Sequence, residues 1–516
     1  MRLIPTTLAV SVSISLVVDH AKASTNWEQL ESRLSKDSFQ VSNVDDWIEQ
    51  CIHPFMDTKP DAVSNYQLFE QPSGLCQAHA SCGYQLCGGP FQSRAKTYDA
   101  TVYTDEVWKS DDTLDLPDAV VHPKHVGDVS EAIKFATQQN IGISVKTSGH
   151  SYTGSSTKKG TLLLHLSKLP KYSLTGSITE CEVDEDIKGA YKEACNLAIA
   201  RNKKAVIRVG GGQIFDEVLR SVNMDWNEDD NNPRKYHIVS GAAGTVSAAG
   251  GWLASGGLSG NNGMRMYGLG IDQVLHVEMV LPSGAHVRFG PTEWEKRPGH
   301  AYHLTKKVDG YCNMGNLSDE DSWDWQDCGD DIEIDFHDLW YAVRGGGGGA
   351  YGVLTSVYYQ LHDFSPIQIV SIQLVDLEIS TELKLAFMKA WIDFLLRFLY
   401  DPESVGVSES SSNSCSSPGF GGFSGGFFVC FNGGGDIMKG AWERYLAEST
   451  NLTNPEDFFY VDNSVPSWAH ILVQGGKMFP NVPEGRGYDV SSKCLLESLP
   501  YYLRKYLISF LSMFQL

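Results

Sequence analysis

The segment SVKTSGHSYTGSS, residues 144–156, sets His150 between a short apolar run and turns built from small residues. An imidazole in such a corner can serve as nucleophile, proton acceptor or metal ligand. The glycine beside it permits close backbone approach. Three further stretches share the pattern: Gly210, Gly211 and Gly212 in VGGGQ; SGAAGTVSAAGGWLASGGLSGNNG over 240–263; and the five consecutive glycines Gly345–Gly349. Such segments present backbone N–H groups without side-chain obstruction, which suits an extended polyanion such as a dinucleotide diphosphate. None supplies G-x-G-x-x-G behind a first strand with an acidic residue at the right distance, and G-x-x-x-x-G-K-[ST] is absent. Neither a Rossmann site nor a P-loop is therefore expected. CQAHASCGYQLC puts Cys76, His79, Cys82 and Cys87 at a zinc-like spacing. In an oxidising compartment disulfides are the expected use of those thiols, with His79 a bystander and no metal bound.

The elements that must hold these turns follow from periodicity. AVVHPKHVGDVSEAIKFATQQNIGISVKTSG reads as strand, Pro-containing turn, helix, Gly-centred turn and strand. Val129, Ile133 and Ala136 recur at helical spacing, and ISVKT alternates. TLLLHLSKL is a further buried strand, AYKEACNLAIARN a helix, KAVIRVGGG a strand entering a glycine turn, and QIFDEVLRSV a helix. VLHVEMVLPSGAHVRFG is a hairpin turning at Pro282-Ser283-Gly284. The glycine-rich stretch before it is then wound backbone making room for a ligand, because a flexible linker has no reason to run straight into a hairpin. DLWYAV, before the five glycines, is read as an apolar strand with another strand after them. From about residue 364, QIVSIQLVDLEI is a long strand and LKLAFMKAWIDFLLRFL an apolar helix. The Ser/Gly stretch GVSESSSNSCSSPGFGGFSGGFFVC is read as paired strands, since Phe423, Phe427, Phe428 and Val429 need a core.

A net charge of −22 argues against nucleic acid or an anionic membrane as partner. Arg2, an apolar stretch to Val18 and Ala21-Lys22-Ala23 form a signal-peptide pattern, with cleavage expected after Ala23 and a secreted or lumenal protein as the result. No later stretch reaches the ~20 apolar residues of a membrane span. Eleven cysteines fit that compartment, and the odd number leaves at least one unpaired within the chain. Cys312 with Cys328, and Cys415 with Cys430, are expected local closures, and Cys51 is a possible member of the 76–87 cluster. Asn316-Leu-Ser and Asn451-Leu-Thr are glycosylation sequons.

Five motifs in order, DDTLDLPDAVVHPKHVGDVSEAIKFA, VKTSGHSYTGSS, VGGGQIFDEVL, GTVSAAGGWLASGGLSGNNGMRMYGLGIDQV and LWYAVRGGGGGAYGVLTS, carry a resemblance that covers roughly residues 110–435. Together they resemble the FAD-linked oxidases of the vanillyl-alcohol oxidase and p-cresol methylhydroxylase type, nearest the berberine-bridge-enzyme-like branch. The resemblance implies an α+β fold: a two-lobed FAD-binding domain and a substrate domain whose large antiparallel sheet is covered by helices. The division it implies is a signal peptide at 1–23, a cysteine-containing extension at 24–110, an FAD-binding domain at 111–363 with its core at 113–290, and a substrate domain at 364–516. Relatives return to the FAD domain after the substrate sheet through an Asn/Tyr-rich segment, and that return segment is expected to be missing here, as in a truncated reading frame.

The resemblance also assigns residues. His150 matches the histidine that often bonds to the flavin 8α-methyl group, which makes the flavin a stronger oxidant. Thr147, Ser148, Gly149, Ser151 and Tyr152 are then expected around the diphosphate, and Gly210, Gly211 and Gly212 in the connection between FAD-domain elements. Gly244, Thr245, Ala248, Gly250, Gly251, Gly256 and Gly257 are expected along the adenine–ribityl path, with Ile271 and Val277 near the adenine. Where relatives carry a second, cysteinyl link this chain has Ala243, so one covalent bond is expected. The implied reaction is hydride transfer from a small alcohol, sugar or related donor to flavin N5, with O2 as acceptor and H2O2 formed. A flavin-binding protein without catalysis, and a dehydrogenase using another acceptor, are the alternatives. No catalytic base is assigned; Tyr488, Tyr501 and Tyr502 are read as packing or surface residues.

Overall fold

A computed structural model of the chain describes residues 25–41 and 117–465, apart from 148–157, 159, 173–177, 182–186, 223–235, 242–245, 259–263, 297–302, 330–333, 349, 375–380, 416–418, 421–424 and 450–457. In the first layer, helix α1 (Trp27–Glu31) and strand β1 (Phe39–Val41) pack on a strand–helix–strand unit. That unit is β2 (Ala119–Val121), α2 (Val126–Gln139) and β3 (Gly142–Lys146), followed by β4 (Thr161–His165). The strand order is β1-β2-β4-β3; β4 runs parallel to both its neighbours, and β1 is antiparallel to β2. The ring of His125 accepts the Asp128 N–H to start α2, and Asn140, at φ 52°, ends it in the left-handed conformation. Val129, Ala132, Ile133 and Ala136 of α2 share a core with Val121, Leu162 and Leu164. Each buried Val, Leu or Ile among them stabilises the layer by about 1.5–3 kcal/mol. Residues 25–41 are tied on by the buried Asp128 carboxylate, which accepts the backbone N–H groups of Ser35 and Lys124, both at 2.8 Å.

The second layer is an antiparallel sheet of β5 (Ile178–Glu180), β6 (Ala205–Gly210), β8 (Val274–Val280), β9 (His286–Lys296), β10 (His303–Asn313), β11 (Trp325–Gln326) and β12 (Val353–Gln360), in the order β11-β10-β9-β8-β12-β6-β5. A two-residue strand, β7 (Tyr236–His237), pairs with β13 (His362–Asp363). Alternation along the strands divides the sheet into two faces. Ile207, Val209, Val277, Met279, Val357 and Tyr359 meet α4 (Phe215–Val222), α5 (Gly251–Ala254) and α6 (Phe336–Val343). Val206 and Tyr358 meet α3 (Gly189–Ala200) on the other face. The hairpin at 282–284 forms as expected, with Gly284 at φ 84°.

One element differs from the sequence reading: Phe336–Val343, containing DLWYAV, is helical. Asp335 caps it, its carboxylate accepting the N–H groups of His337 and Asp338 at 2.8 and 3.0 Å. Trp340 and Val343, three apart, face the core. The cap lies outside the apolar run, so the run by itself looked like a strand.

After β13 comes β14 (Ile367–Leu374), then α7 (Thr381–Tyr400), β15 (Gly419–Phe420), β16 (Gly425–Phe431), α8 (Gly434–Ser449) and β17 (Phe458–Val465). The strands form an antiparallel sheet in the order β15-β16-β14-β17. Its own core brings Phe387, Trp391, Phe394 and Phe398 of α7 against Met438, Trp442 and Tyr445 of α8. The Ser/Gly stretch pairs as strands over 419–420 and 425–430, whereas Glu409–Ser412 within it is a short helix; the expected Cys312–Cys328 and Cys415–Cys430 disulfides are present. A third, Cys181–Cys195, links the end of β5 to α3. The leader expected at 1–23, the 51–87 cysteines and Asn451 lie outside the described residues. Among those described, no helix is long and apolar enough to cross a membrane, and no cluster of His, Cys, Asp or Glu could hold a metal.

Candidate functional site

Four segments far apart in sequence meet at the end of β3. Thr147 leaves that strand and donates its hydroxyl to the carbonyl of Gly211, 2.8 Å away. A Cβ on Gly250 would lie 3.1 Å from the same hydroxyl. The 246–250 segment is held from below: Ala248 donates its N–H to the Gln213 carbonyl at 3.0 Å, and the Tyr359 hydroxyl donates to the Ala248 carbonyl. The glycine run joins from the other side, with the Gly347 N–H bonded to the Ala254 carbonyl at 3.1 Å and Gly348 placed over Gly251.

The glycines here do two different jobs. Cβ atoms on Gly210, Gly211 and Gly212 would stand 2.0, 2.2 and 1.9 Å from the carbonyl oxygens of Pro170, Leu354 and Leu166. These three glycines let β6 turn into α4 against other backbone. Gly257, at φ 72°, is likewise closed in by the backbone of Gly270. By contrast, Gly251, Gly256, Gly345 and Gly347 have nothing within 4 Å of where a side chain would begin. The result is a stretch of bare backbone beside Thr147. Such a surface fits a flat, extended dinucleotide that needs backbone contact along its length.

Ala248, Ile271 and Val277 are buried in the apolar cluster beneath this surface. Ser148, Gly149, His150, Ser151, Tyr152, Gly244 and Thr245 lie outside the described residues.

Directly below Thr147 lies a row of bases that sequence reasoning missed. Lys146 is opposite His165 in the β3–β4 register. His122, one residue past the Val121–Leu164 pair, comes level with His165, and the two rings are 5.1 Å apart. Lys146 and His165 are each only 1% exposed. Burial lowers the Lys146 pKa to about 7. Burial first, then the charges of Lys146, His122 and Lys168, holds His165 well below the usual imidazole range, against a hydrogen bond with the Thr147 backbone that favours protonation. The available signal was a base closing each of three apolar runs: AVVH, ISVK and TLLLH.

A second buried polar group sits on the α3 face of the seven-stranded sheet. Arg208 donates to Glu278 at 2.5 Å and to Glu320, and its guanidinium lies 3.6 Å from the Tyr172 ring centroid. Ser356 and Tyr358 add hydroxyl donors to Glu278 at 2.5 and 3.2 Å. Despite burial, Arg208 holds the Glu278 carboxyl below its usual range.

Residues 117–183, which contain the row of bases, match the model of an FAD binding domain. The chain is 26% identical over 291 residues to the FAD-linked oxidoreductase ffsJ of Aspergillus flavipes, covering 56% of this chain and 36% of that protein. It is 26% identical over 246 residues to the VAO-type flavoprotein oxidase VAO615 of Thermothelomyces thermophilus, covering 48% of this chain and 30% of that one. The matched region thus spans about a third of these relatives' length. Among solved structures, the VAO-type flavoprotein MtVAO615 from Myceliophthora thermophila C1 has the same fold, with a TM-score of 0.51 at 19% identity over 87% of this chain and 65% of that one. The chain thus carries a matched FAD binding domain, is similar to FAD-linked oxidoreductases, and has the fold of a VAO-type flavoprotein.

Proposed function

We propose that the chain is an FAD-linked oxidase that holds one FAD along the bare backbone beside Thr147, with His150 as its single covalent anchor. The observation carrying this reading is the meeting of Thr147 with Gly211, Gly250 and, through Gly251 and Ala254, the 345–349 run. Ser148, Gly149, Ser151 and Tyr152 join Thr147 around the diphosphate. Gly244, Thr245, Gly250, Gly251 and Gly256 follow the adenine–ribityl path, over a floor stiffened by Ala248, Ile271 and Val277. Gly257 and the 210–212 glycines support that floor without touching the ligand.

Bound FAD supplies hydride acceptance from a C–H bond and reoxidation by O2 to H2O2. The chain's part is to hold the ring system against a second unit, which begins near residue 364 and carries the donor, a small alcohol, sugar or related molecule. The three disulfides and the exposed sequon at Asn316 favour a secreted or lumenal protein. The test is direct. Purified protein is expected to be yellow, to stay yellow after denaturation and washing, and to lose its flavin in the same wash as His150→Ala. Peroxide release across a panel of alcohols and sugars then reports oxidase activity. A colourless protein from riboflavin-fed cells overturns the reading, and a yellow one that gives up all its FAD on denaturation overturns the anchor.

A further inference from the structure

The 313–326 segment forms a strap laid across both layers. Its ends are joined by the Cys312–Cys328 disulfide and by the pairing of β10 with β11. The two arms lie close together. The Met314 N–H donates to the Asp324 carbonyl at 2.7 Å, and a Cβ on Gly315 would stand 2.0 Å from the Ser322 carbonyl oxygen. Asn313 Oδ1 accepts the N–H groups of Gly315 and Asp324, both at 3.0 Å. On the first layer, Leu317 and Trp323 pack against the core that contains α2, and the Leu317 carbonyl accepts the Gly127 N–H at 3.1 Å. On the seven-stranded sheet, Glu320 pairs with Arg208, and the Trp323 and Trp325 rings each lie 4.9 Å from the His286 ring.

The strap carries the sequon Asn316-Leu317-Ser318 in a fixed conformation. Asn316 and Ser318 are exposed, whereas Leu317 between them is turned inward. The Asp319 N–H donates to the Asn316 carbonyl at 3.2 Å and closes a turn over the tripeptide. Asn316 Oδ1 accepts the Ser318 N–H at 3.1 Å, the local bond by which an Asn side chain shapes a turn. That bond occupies the carboxamide oxygen, and Nδ2 has no partner among the described residues. An amide nitrogen bonded to a sugar leaves its carbonyl oxygen free to accept. Substitution at Nδ2 therefore preserves the turn, and exposure leaves room for a bulky hydrophilic group.

We propose that Asn316 carries an N-linked glycan, with the strap as its rigid mount. The inference rests on the secreted or lumenal reading above and not on bound flavin. In the transfer, Asn316 Nδ2 bonds to the anomeric carbon of an oligosaccharide held on a polyprenyl diphosphate. The bond from that carbon to the diphosphate oxygen breaks, the lipid diphosphate leaves with the electron pair, and Nδ2 gives up one proton. Nothing is oxidised or reduced. Ser318 supplies the hydroxyl that the acceptor sequence requires, and Leu317 satisfies the condition that the middle residue is not Pro. A glycan there reserves the outer side of the strap for solvent and shields Met314, 51% exposed and two residues away.

The experiment uses the full-length chain secreted from a eukaryotic host. Peptide N-glycosidase in heavy-oxygen water converts a glycosylated Asn to Asp carrying the heavy isotope. After reduction, trypsin releases Val308–Arg344, which holds Asn316 together with Asn313, a residue outside any sequon. Mass spectrometry of this peptide is expected to find the label at Asn316 in most molecules and none at Asn313. Ser318→Ala, which keeps the backbone N–H that Asn316 accepts, should lose the label, and Ser318→Thr should keep it. Unlabelled Asn316 in protein recovered from the medium overturns the proposal and leaves the secreted reading intact. Protein retained in the cytosol with Asn316 unmodified overturns both. A label that survives Ser318→Ala, or that appears without the glycosidase, marks chemical deamidation and also rejects the proposal. Should Ser318→Ala fail to be secreted, the wild-type digests with and without glycosidase are sufficient to decide.

Discussion

Arg208 and Lys146 are both buried cations near strand ends, but their surroundings differ. Around Arg208 the chain supplies two carboxylates, Glu278 and Glu320, together with the Tyr172 ring and the Ser356 hydroxyl. Lys146 lies beside two imidazoles, and the chain continues from it into Thr147. Arg208 is held in its charged form by its neighbours, whereas Lys146 is pushed towards neutrality by burial. A cation neutralised from within the fold belongs to its architecture.

The strongest way to break that contrast is to remove a carboxylate from the architectural site. Glu278→Leu leaves Arg208 charged and buried, and should cost about 3–5 kcal/mol of unfolding free energy in urea titration. The double variant Glu278→Leu/Arg208→Met should recover most of it, because the stranded charge is gone. A loss in the single variant below about 1 kcal/mol would mean that Glu320 and solvent satisfy Arg208 unaided, and the two sites would no longer differ in kind.

The next effect is a pH dependence. His286 is buried beside Trp323 and Trp325, with a pKa lowered to about 4, chiefly by burial. In the unfolded chain a histidine titrates near 6.5. Between those values the unfolded state binds the extra proton, so stability falls as pH drops from about 6.5 to 4, by up to about 3 kcal/mol. His286→Gln should flatten that limb of a pH–stability curve. An unchanged slope would move the acid sensitivity elsewhere.

The glycines allow a finer comparison within the candidate site. Gly212→Ala forces a methyl to within 1.9 Å of the Leu166 carbonyl. It should destabilise the protein by about 2 kcal/mol or more, with or without flavin. Gly251→Ala meets no atom of the described residues within 4 Å. It should leave thermal unfolding of the flavin-free protein within about 0.5 kcal/mol of wild type while reducing flavin content. If Gly251→Ala retains full flavin, the bare surface is not the cofactor's seat.

These contrasts show why some of the molecule was legible in sequence and some was not. The strand–helix–strand unit over 119–146 was readable because Val129, Ile133 and Ala136 declare a helix locally and the flanking strands are continuous apolar runs. The Cys312–Cys328 and Cys415–Cys430 pairs were readable because short loops limit the partners. The helix at 336–343 was not, since the residue that starts it, Asp335, stands outside the apolar run. Glycine position could be read, but glycine purpose could not. Whether a missing side chain serves another backbone, as at Gly212, or open space, as at Gly251, depends on residues up to a hundred positions away. The basic row needed strand register as well: nothing in AVVH, ISVK and TLLLH states that the three bases end level with one another.

The last effect has the opposite sign, and so tests the contrast most sharply. In flavin-free protein, Lys146 is a buried base with its pKa lowered from 10.5 to about 7. The unfolded chain holds that proton across the whole interval, so stability should rise with pH from about 7 towards 10. At pH 6.5 the lysine is mostly charged in a dry site, and Lys146→Met should stabilise the flavin-free protein by about 1 kcal/mol. Urea titrations of the two flavin-free proteins at pH 6.5 and pH 9 give the four numbers required. A substitution that destabilises the protein at both pH values would make Lys146 an architectural cation like Arg208.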